Sequence, residues 1–287
     1  MFTVMKKSIN VWSFYGDWSL KEKMVLAKDA GFEGIEVDIS GDGPINLDSD
    51  DAAIDEVGTM AADTGLTLSG LATGMYWEFN PASESERTRS NAKRVVEMQI
   101  RAASRLGIDA ILVVPGSVGA DFIPGCEEIP YNLVWDRATE FVRGALPLAK
   151  ELGVSICIEN VWNKFLLSPM ELARFVDQFD DERVGSYFDV GNVLATGYPE
   201  HWIPFLDKRI QRVHVKDYRR AVGTVEGFVD LLSGDVNWPA VMQALDGIGY
   251  DGWVAAEMIP PVPFYKYAPE TLIANTSLAM DRLFALA

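Results

Sequence analysis

Short apolar runs alternate with longer amphipathic stretches along almost the whole chain, and the junction between them repeats. A helical pattern closes on glycine and an aliphatic run follows: KDAG (28–31) before EGIEV, ADTG (62–65) before LTLS, SRLG (104–107) before IDAILVV, ELG (151–153) before VSICI, and GIG (247–249) before the run at Trp253. Glycine at a helix C-terminus takes the left-handed conformation that ends the helix, and a short continuous apolar run after it reads as a buried strand. Each pair predicts one αβ unit. With the weaker runs added, strands are expected near residues 8–14, 34–38, 66–72, 109–114, 154–159, 184–189, 210–215 and 253–257. The longest helical pattern covers 84–106, with Val95, Val96, Gln99, Ala102, Ala103 and Leu106 on one face, and a last helix is expected over 269–286. Eight strands alternating with helices over about 250 residues predict a parallel (β/α)8 TIM barrel, read as a single domain over 1–287. A doubly wound open sheet is the alternative, but no GxGxxG follows the first strand.

Four of the runs deliver a metal-ligand residue type at or near their ends: Glu159, Asp189, His214 and Glu257, spaced 30, 25 and 43 residues apart. Carboxylates are poor strand formers and are rarely buried unpaired. In a barrel, the C-terminal ends of strands carry the chemistry. Glu159, Asp189 and Glu257 fall at those ends on the fifth, sixth and eighth strands, and His214 lies just before the end of the seventh. Three oxygen donors and one imidazole suit Mn2+, Mg2+, Co2+ or Zn2+. The blander alternatives stay open: the glutamates paired with Lys or Arg, Asp189 capping the next helix, His214 as a core histidine.

Composition narrows the chemistry. The 287-residue chain carries 42 acidic and 25 basic residues, a formal charge of −17, which repels phosphodiester backbones and argues against a nucleic-acid partner. Cys126 and Cys157 fit no zinc or redox spacing, which favours a reducing compartment. No stretch resembles a signal peptide or a membrane span, so a cytoplasmic protein without a membrane partner is expected. Aromatic residues gather where strands are expected to end: Trp12 and Phe14 at the first, Tyr76 and Trp77 after the third, Trp162 and Phe165 after the fifth. Sugar C–H faces pack on such rings, although ordinary core packing explains each one singly. Lys164, Lys216 and Arg220 are candidate cations for substrate oxygens or a phosphate, or members of structural ion pairs. Glu36, at the end of the second strand, is a candidate to orient a ligand.

The segments IENVWN (158–163), YFDVGN (187–192), RVHVKD (212–217), GDVNW (234–238) and GYDGWVAAE (249–257) resemble the xylose isomerase-like TIM-barrel superfamily. Within it they are most similar to the sugar (phosphate) isomerase/epimerase group, which includes ketose 3-epimerases and L-ribulose- or L-xylulose-5-phosphate 3-epimerases. The resemblance implies one divalent ion, commonly Mn2+, held by Glu159, Asp189, His214 and Glu257. Glu159 and Glu257 would be the acid–base pair on opposite faces of the sugar. It implies C3 epimerisation of a ketose or ketose phosphate through a cis-enediolate, with an inosose-type dehydratase or an aldose–ketose isomerase as alternatives on the same site. The substrate-contacting set would include Trp12, Trp77, Trp162, Lys164, Asn192, Lys216 and Arg220. Ketose 3-epimerases carry histidine where this chain has Asn192, and the DVGN form looks more like the pentulose-phosphate branch. A homodimer or homotetramer is implied too. Apurinic-site nucleases share the fold but need three zinc ions and a histidine-rich ligand set, and this chain has two histidines in all.

Overall fold

A computed structural model describes residues 4–15, 17–259 and 265–287. Strands and helices alternate as the glycine punctuation predicts. The strands are β1 (Lys6–Asn10), β2 (Gly34–Ile39), β3 (Thr67–Thr73), β4 (Ala110–Val113), β5 (Ser155–Glu159), β6 (Val184–Asp189), β7 (Ile210–Val215), β8 (Asp217–Tyr218), β9 (Phe228–Val229) and β10 (Trp253–Ala256). Eight of them form one closed parallel sheet in the order β1-β10-β7-β6-β5-β4-β3-β2, while β8 and β9 make a small antiparallel ribbon. This is the (β/α)8 TIM barrel. All five punctuating glycines, Gly31, Gly65, Gly107, Gly153 and Gly249, adopt positive φ between 66° and 92°. A residue with a Cβ is strained in that conformation.

Two compact units can be distinguished. One comprises the residues up to Val37 with Gly58–Ser69 and Phe188–Ala287; the other comprises Asp38–Val57 and Gly70–Tyr187. In the first unit, β1 pairs with β10 (Ile9 opposite Ala256), β10 with β7 (Ala255 opposite His214), and β1 with β2 (Asn10 opposite Glu36). In the second, β4 pairs with β5 (Val113 opposite Ile158) and β5 with β6 (Glu159 opposite Tyr187). Every residue of β4, β5 and β6 is buried. That matches strands covered on both faces, which read as continuous apolar runs.

The first strand departs from the expectation. It begins at Lys6, not residue 8, and stops at Asn10, not residue 14. Asn10 ends it because its side chain accepts a hydrogen bond from the Trp12 amide (2.7 Å) and caps a 3-10 turn over Val11–Ser13. Trp12 and Phe14 therefore follow β1 through a turn instead of ending it. Lys7 belongs to the strand because its stem is buried and its ammonium reaches Ser277 (3.1 Å) and Asp281 (2.5 Å) on the last helix, Glu270–Phe284. The long helix runs over Glu86–Arg105 and buries Val95, Val96, Gln99, Ala102 and Ala103 as expected; Leu106 sits at its C-cap and is half-buried.

Candidate metal centre

Burial is what turns the strand-end polar residues into a site. Asp189 and His214 are fully buried, Glu257 is nearly so, and Glu159 closes β5 with little exposure. Asp189 ends β6 and caps the short helix Val190–Val193, its Oδ1 accepting from the Asn192 amide at 2.7 Å. The capping alternative is therefore correct, and it leaves Oδ2 to face the interior. Glu257 follows β10 directly, its backbone amide donating to the Val215 carbonyl at 3.2 Å. His214 projects from β7, and its two ring nitrogens have different surroundings. Nε2 lies 2.7 Å from Glu36 Oε2; Nδ1 lies 3.1 Å from Glu257 Oε2 and 3.9 Å from Asp189 Oδ2. The Asn10 side-chain amide donates to the same Glu36 oxygen. With the Nε2 proton assigned to the Glu36 contact, Nδ1 is the nitrogen that faces Asp189 and Glu257, and it would offer a lone pair to an ion once its own proton has left. One donor atom from each of Glu159, Asp189, His214 and Glu257 lies within 4.8 Å of the others.

The electrostatics follow from that crowding. Burial pulls the His214 imidazole toward the neutral form, but Glu36 and Glu257 outweigh it and hold its pKa well above the usual histidine value. Burial pushes the Glu257 carboxyl up, yet Lys216 and His214 together bring it down to about 2. For Asp189 burial prevails over Lys216 and His214, Glu257 adds to it, and its pKa is raised. Lys216 itself is buried, with its ammonium 2.5 Å from Glu257 Oε2 and 3.1 Å from Asp189 Oδ2. Asp189 and Glu257 are two buried carboxylates against this one lysine, and Glu36 is a third buried carboxylate on the far side of His214. Buried carboxylates need compensation by paired charge or metal. A cation already lies against the two carboxylate oxygens that face His214. The donor set, three carboxylates and one imidazole, fits a hard or borderline divalent ion.

The remaining expected residues are distributed unevenly. Lys216 lies at the carboxylate centre, and Asn192 is buried beside it on the turn that Asp189 caps. Arg220 is fastened to the loop after β6: its guanidinium donates to the Leu194 (2.8 Å) and Gly197 (2.9 Å) carbonyls and lies 4.6 Å from the Tyr198 ring centroid. Trp12 is half-buried in the turn after β1, and Trp162 half-buried in the loop after β5. Trp77 is half-buried in a turn after β3, edge-on to Phe122 at 5.2 Å. Lys164 is exposed and forms an ion pair with Asp121 at 2.6 Å. Its backbone is left-handed, with a φ of 57°. Glu36 does orient the histidine. Asn10, which holds Glu36, was not singled out from sequence; the only available signal was an amide closing an apolar run. Asp217 was also passed over. Its Oδ1 accepts from the Tyr218 (2.9 Å) and Val236 (3.2 Å) amides and its Oδ2 from Trp238 Nε1 (3.0 Å), clamping the excursion that carries the β8–β9 ribbon.

Comparison with known proteins gives the fold and the centre a context. The sequence model of the family described as xylose isomerase-like TIM barrel matches residues 24–280. An uncharacterized protein of Methanocaldococcus jannaschii is 26% identical over 63% of this chain and 61% of its own length. SgbU of Escherichia coli, whose name proposes L-ribulose-5-phosphate 3-epimerase activity, is 26% identical over 84% of each chain. The inosose dehydratase of Geobacillus thermodenitrificans is 29% identical over 47% of this chain and 51% of its own length. The match thus spans less than two thirds of the first and third of these relatives. Among solved structures, D-psicose 3-epimerase with D-tagatose from Clostridium cellulolyticum superposes with a TM-score of 0.79 at 21% identity, covering 98% of this chain and 99% of that one. The IOLI protein with a bound zinc atom gives a TM-score of 0.79 at 20% identity, covering 98% of each chain. No described helix is long and apolar enough to cross a membrane.

Proposed function

The chain belongs to the xylose isomerase-like TIM barrel family, and on that premise we propose that it is a divalent-metal-dependent sugar isomerase or epimerase, inverting C3 of a ketose or ketose phosphate. The observation that carries the reading is the buried convergence of Asp189, His214 and Glu257 with Glu159. These four residues would hold the ion, with Mn2+ the first choice and zinc, the metal of one structural neighbour, also suited to the donors. The ion's contribution would be to withdraw charge from a ketone and the neighbouring hydroxyl, lowering the cost of removing the proton between them.

The protein's own groups then divide the work. Glu257, its carboxyl held low by Lys216 and His214, is ionised at neutral pH and would be the base that takes the C3 proton, the more effective one as the lysine lets go of it. As the C3–H bond breaks, its electron pair moves onto the carbonyl oxygen and gives an enediolate. Glu159 supplies a proton to the opposite face, and C3 inverts. His214, kept in one orientation by Glu36, would hold the ion without moving protons. Trp12, Trp77 and Trp162 would offer apolar faces to the sugar, and Asn192, Lys216 and Arg220 polar contacts; Lys164 is assigned to its ion pair with Asp121 instead. A homodimer or homotetramer in the cytoplasm, one barrel domain over the whole chain and a small sugar as the partner complete the proposal.

A second reading is favoured by the inosose dehydratase relative. There the same enolate expels a β-hydroxyl, which leaves as water with one proton. Incubation of the Mn2+-loaded protein with ketoses, pentulose phosphates and an inosose in D2O, followed by NMR, separates the two. Deuterium at C3 with inversion supports the epimerase, and label at C1 or C2 an aldose–ketose isomerase. Loss of water supports the dehydratase. No exchange on any compound would sink both.

A further inference from the structure

Lys216 stands out among the buried cations. Lysine is almost never buried unless its charge is matched, and here the match is with two atoms that have another task. Asp189 commits Oδ1 to the helix cap, so Oδ2 is the oxygen it turns toward the site; Glu257 Oε2 is the oxygen facing His214 Nδ1. The Lys216 ammonium holds both, at 3.1 Å and 2.5 Å. Its position is built in. A Cβ added to Gly191 would fall 2.5 Å from Lys216 Cβ and 2.9 Å from its carbonyl oxygen, so the glycine of the β6 turn makes room for the lysine backbone. The Phe228 ring of the β8–β9 ribbon lies 5.5 Å from the ammonium and offers its face to the charge.

We infer that Lys216 is a resident counter-ion of the metal centre: its ammonium shares Asp189 Oδ2 and Glu257 Oε2 with the divalent ion, and loading exchanges one cation for the other. The inference rests on the metal reading proposed above. It adds an order to the site's assembly. While the ammonium neutralises the two carboxylates, the empty centre avoids buried unpaired charge. Once the ammonium yields those oxygens, it becomes available to an oxygen of the substrate, so a sugar would meet Lys216 only after the metal is in place. A lysine that merely braced the ligands would have the opposite effect on removal, because metal binding would weaken.

The test is Mn2+ affinity, measured by calorimetry and by competition with a fluorescent chelator, on the full chain and on Lys216→Met and Lys216→Gln. The expected result is tighter binding in both variants, by about tenfold or more, the scale of one like-charge repulsion removed from a partly screened site. The metal-free variants should also melt lower than the wild type and regain more on loading. Equal or weaker Mn2+ binding in both variants overturns the inference while leaving the metal reading intact. Absence of Mn2+ binding to the wild type overturns the metal reading itself and this inference with it. Should neither variant fold without metal, Zn2+ is titrated into the wild type carrying 13Cε-lysine. One buried-lysine resonance should shift in step with occupancy, and its remaining unmoved overturns the exchange.

Discussion

Glu36→Gln is the sharpest perturbation of the centre, because it alters no ligand and almost no volume. Glu36 Oε2 lies 2.7 Å from His214 Nε2, and neither side chain has solvent to substitute for the other. The oxygen also accepts from the Asn10 amide. A glutamine carbonyl keeps an acceptor there but removes the charge that makes the contact strong and the imidazole a better donor. Losing such a partner typically costs 10- to 100-fold in metal affinity, about 1.4–2.7 kcal/mol. A second observable has an independent sign. The folded pKa of His214 is raised above its unfolded value by Glu36 and Glu257, so its contribution to stability is fully present below the ordinary histidine pKa and is lost as pH rises through the folded value. A metal binding to Nδ1 must therefore release a proton from the wild type at neutral pH. Glu36→Gln weakens the stabilisation of the imidazolium, so that proton release shrinks. Calorimetry in two buffers of different ionisation enthalpy reads affinity and proton count together. Unchanged affinity with an unchanged proton count would refute the assignment of Glu36 as the group that orients and polarises His214.

Other consequences are as specific. Gly191→Ala places a Cβ 2.5 Å from Lys216 Cβ; overpacking of this kind costs about 1–3 kcal/mol, read as a lower denaturation midpoint, and an unchanged midpoint would mean that the β6 turn can move aside. Divalent metal at about 100 times its dissociation constant should add about 2.7 kcal/mol to stability, which for a chain of this size is a rise in melting temperature of roughly 4–5 °C. A chelator should reverse the rise, and no difference between chelated and loaded protein would count against a buried site.

Much of this was legible in the chain because its signals are local. The glycines that end helices must adopt positive φ, and an apolar run after each has few alternatives to a buried strand; Gly31, Gly65, Gly107, Gly153 and Gly249 all behave this way. Strand ends then carried Glu159, Asp189 and Glu257 to one end of the sheet. What the chain hid is non-local. Lys6 and Lys7 masked the start of β1, because nothing nearby announces that Lys7 finds Ser277 and Asp281 on the last helix. The Asn10–Glu36–His214 relay joins three strands and has no sequence spacing of its own. The ion pair of Lys164 with Asp121 joins residues 43 apart in sequence, so no local spacing announces it. Asp217 gathers donors from Tyr218, Val236 and Trp238, and only the fold brings the last two to it.

We propose that the buried carboxylate–imidazole centre removes and returns a proton next to a sugar carbonyl. Its most direct test is deuterium exchange in D2O by the Mn2+-loaded protein, wild type beside Glu257→Gln, with circular dichroism and a Mn2+ titration establishing that the variant is folded and loaded. Label is expected at the carbon α to the carbonyl with the wild type, with at least about a 1,000-fold loss of exchange in the loaded variant, the order expected when a proton-transfer group and its charge are both removed. Exchange by Glu257→Gln at the wild-type rate would contradict it.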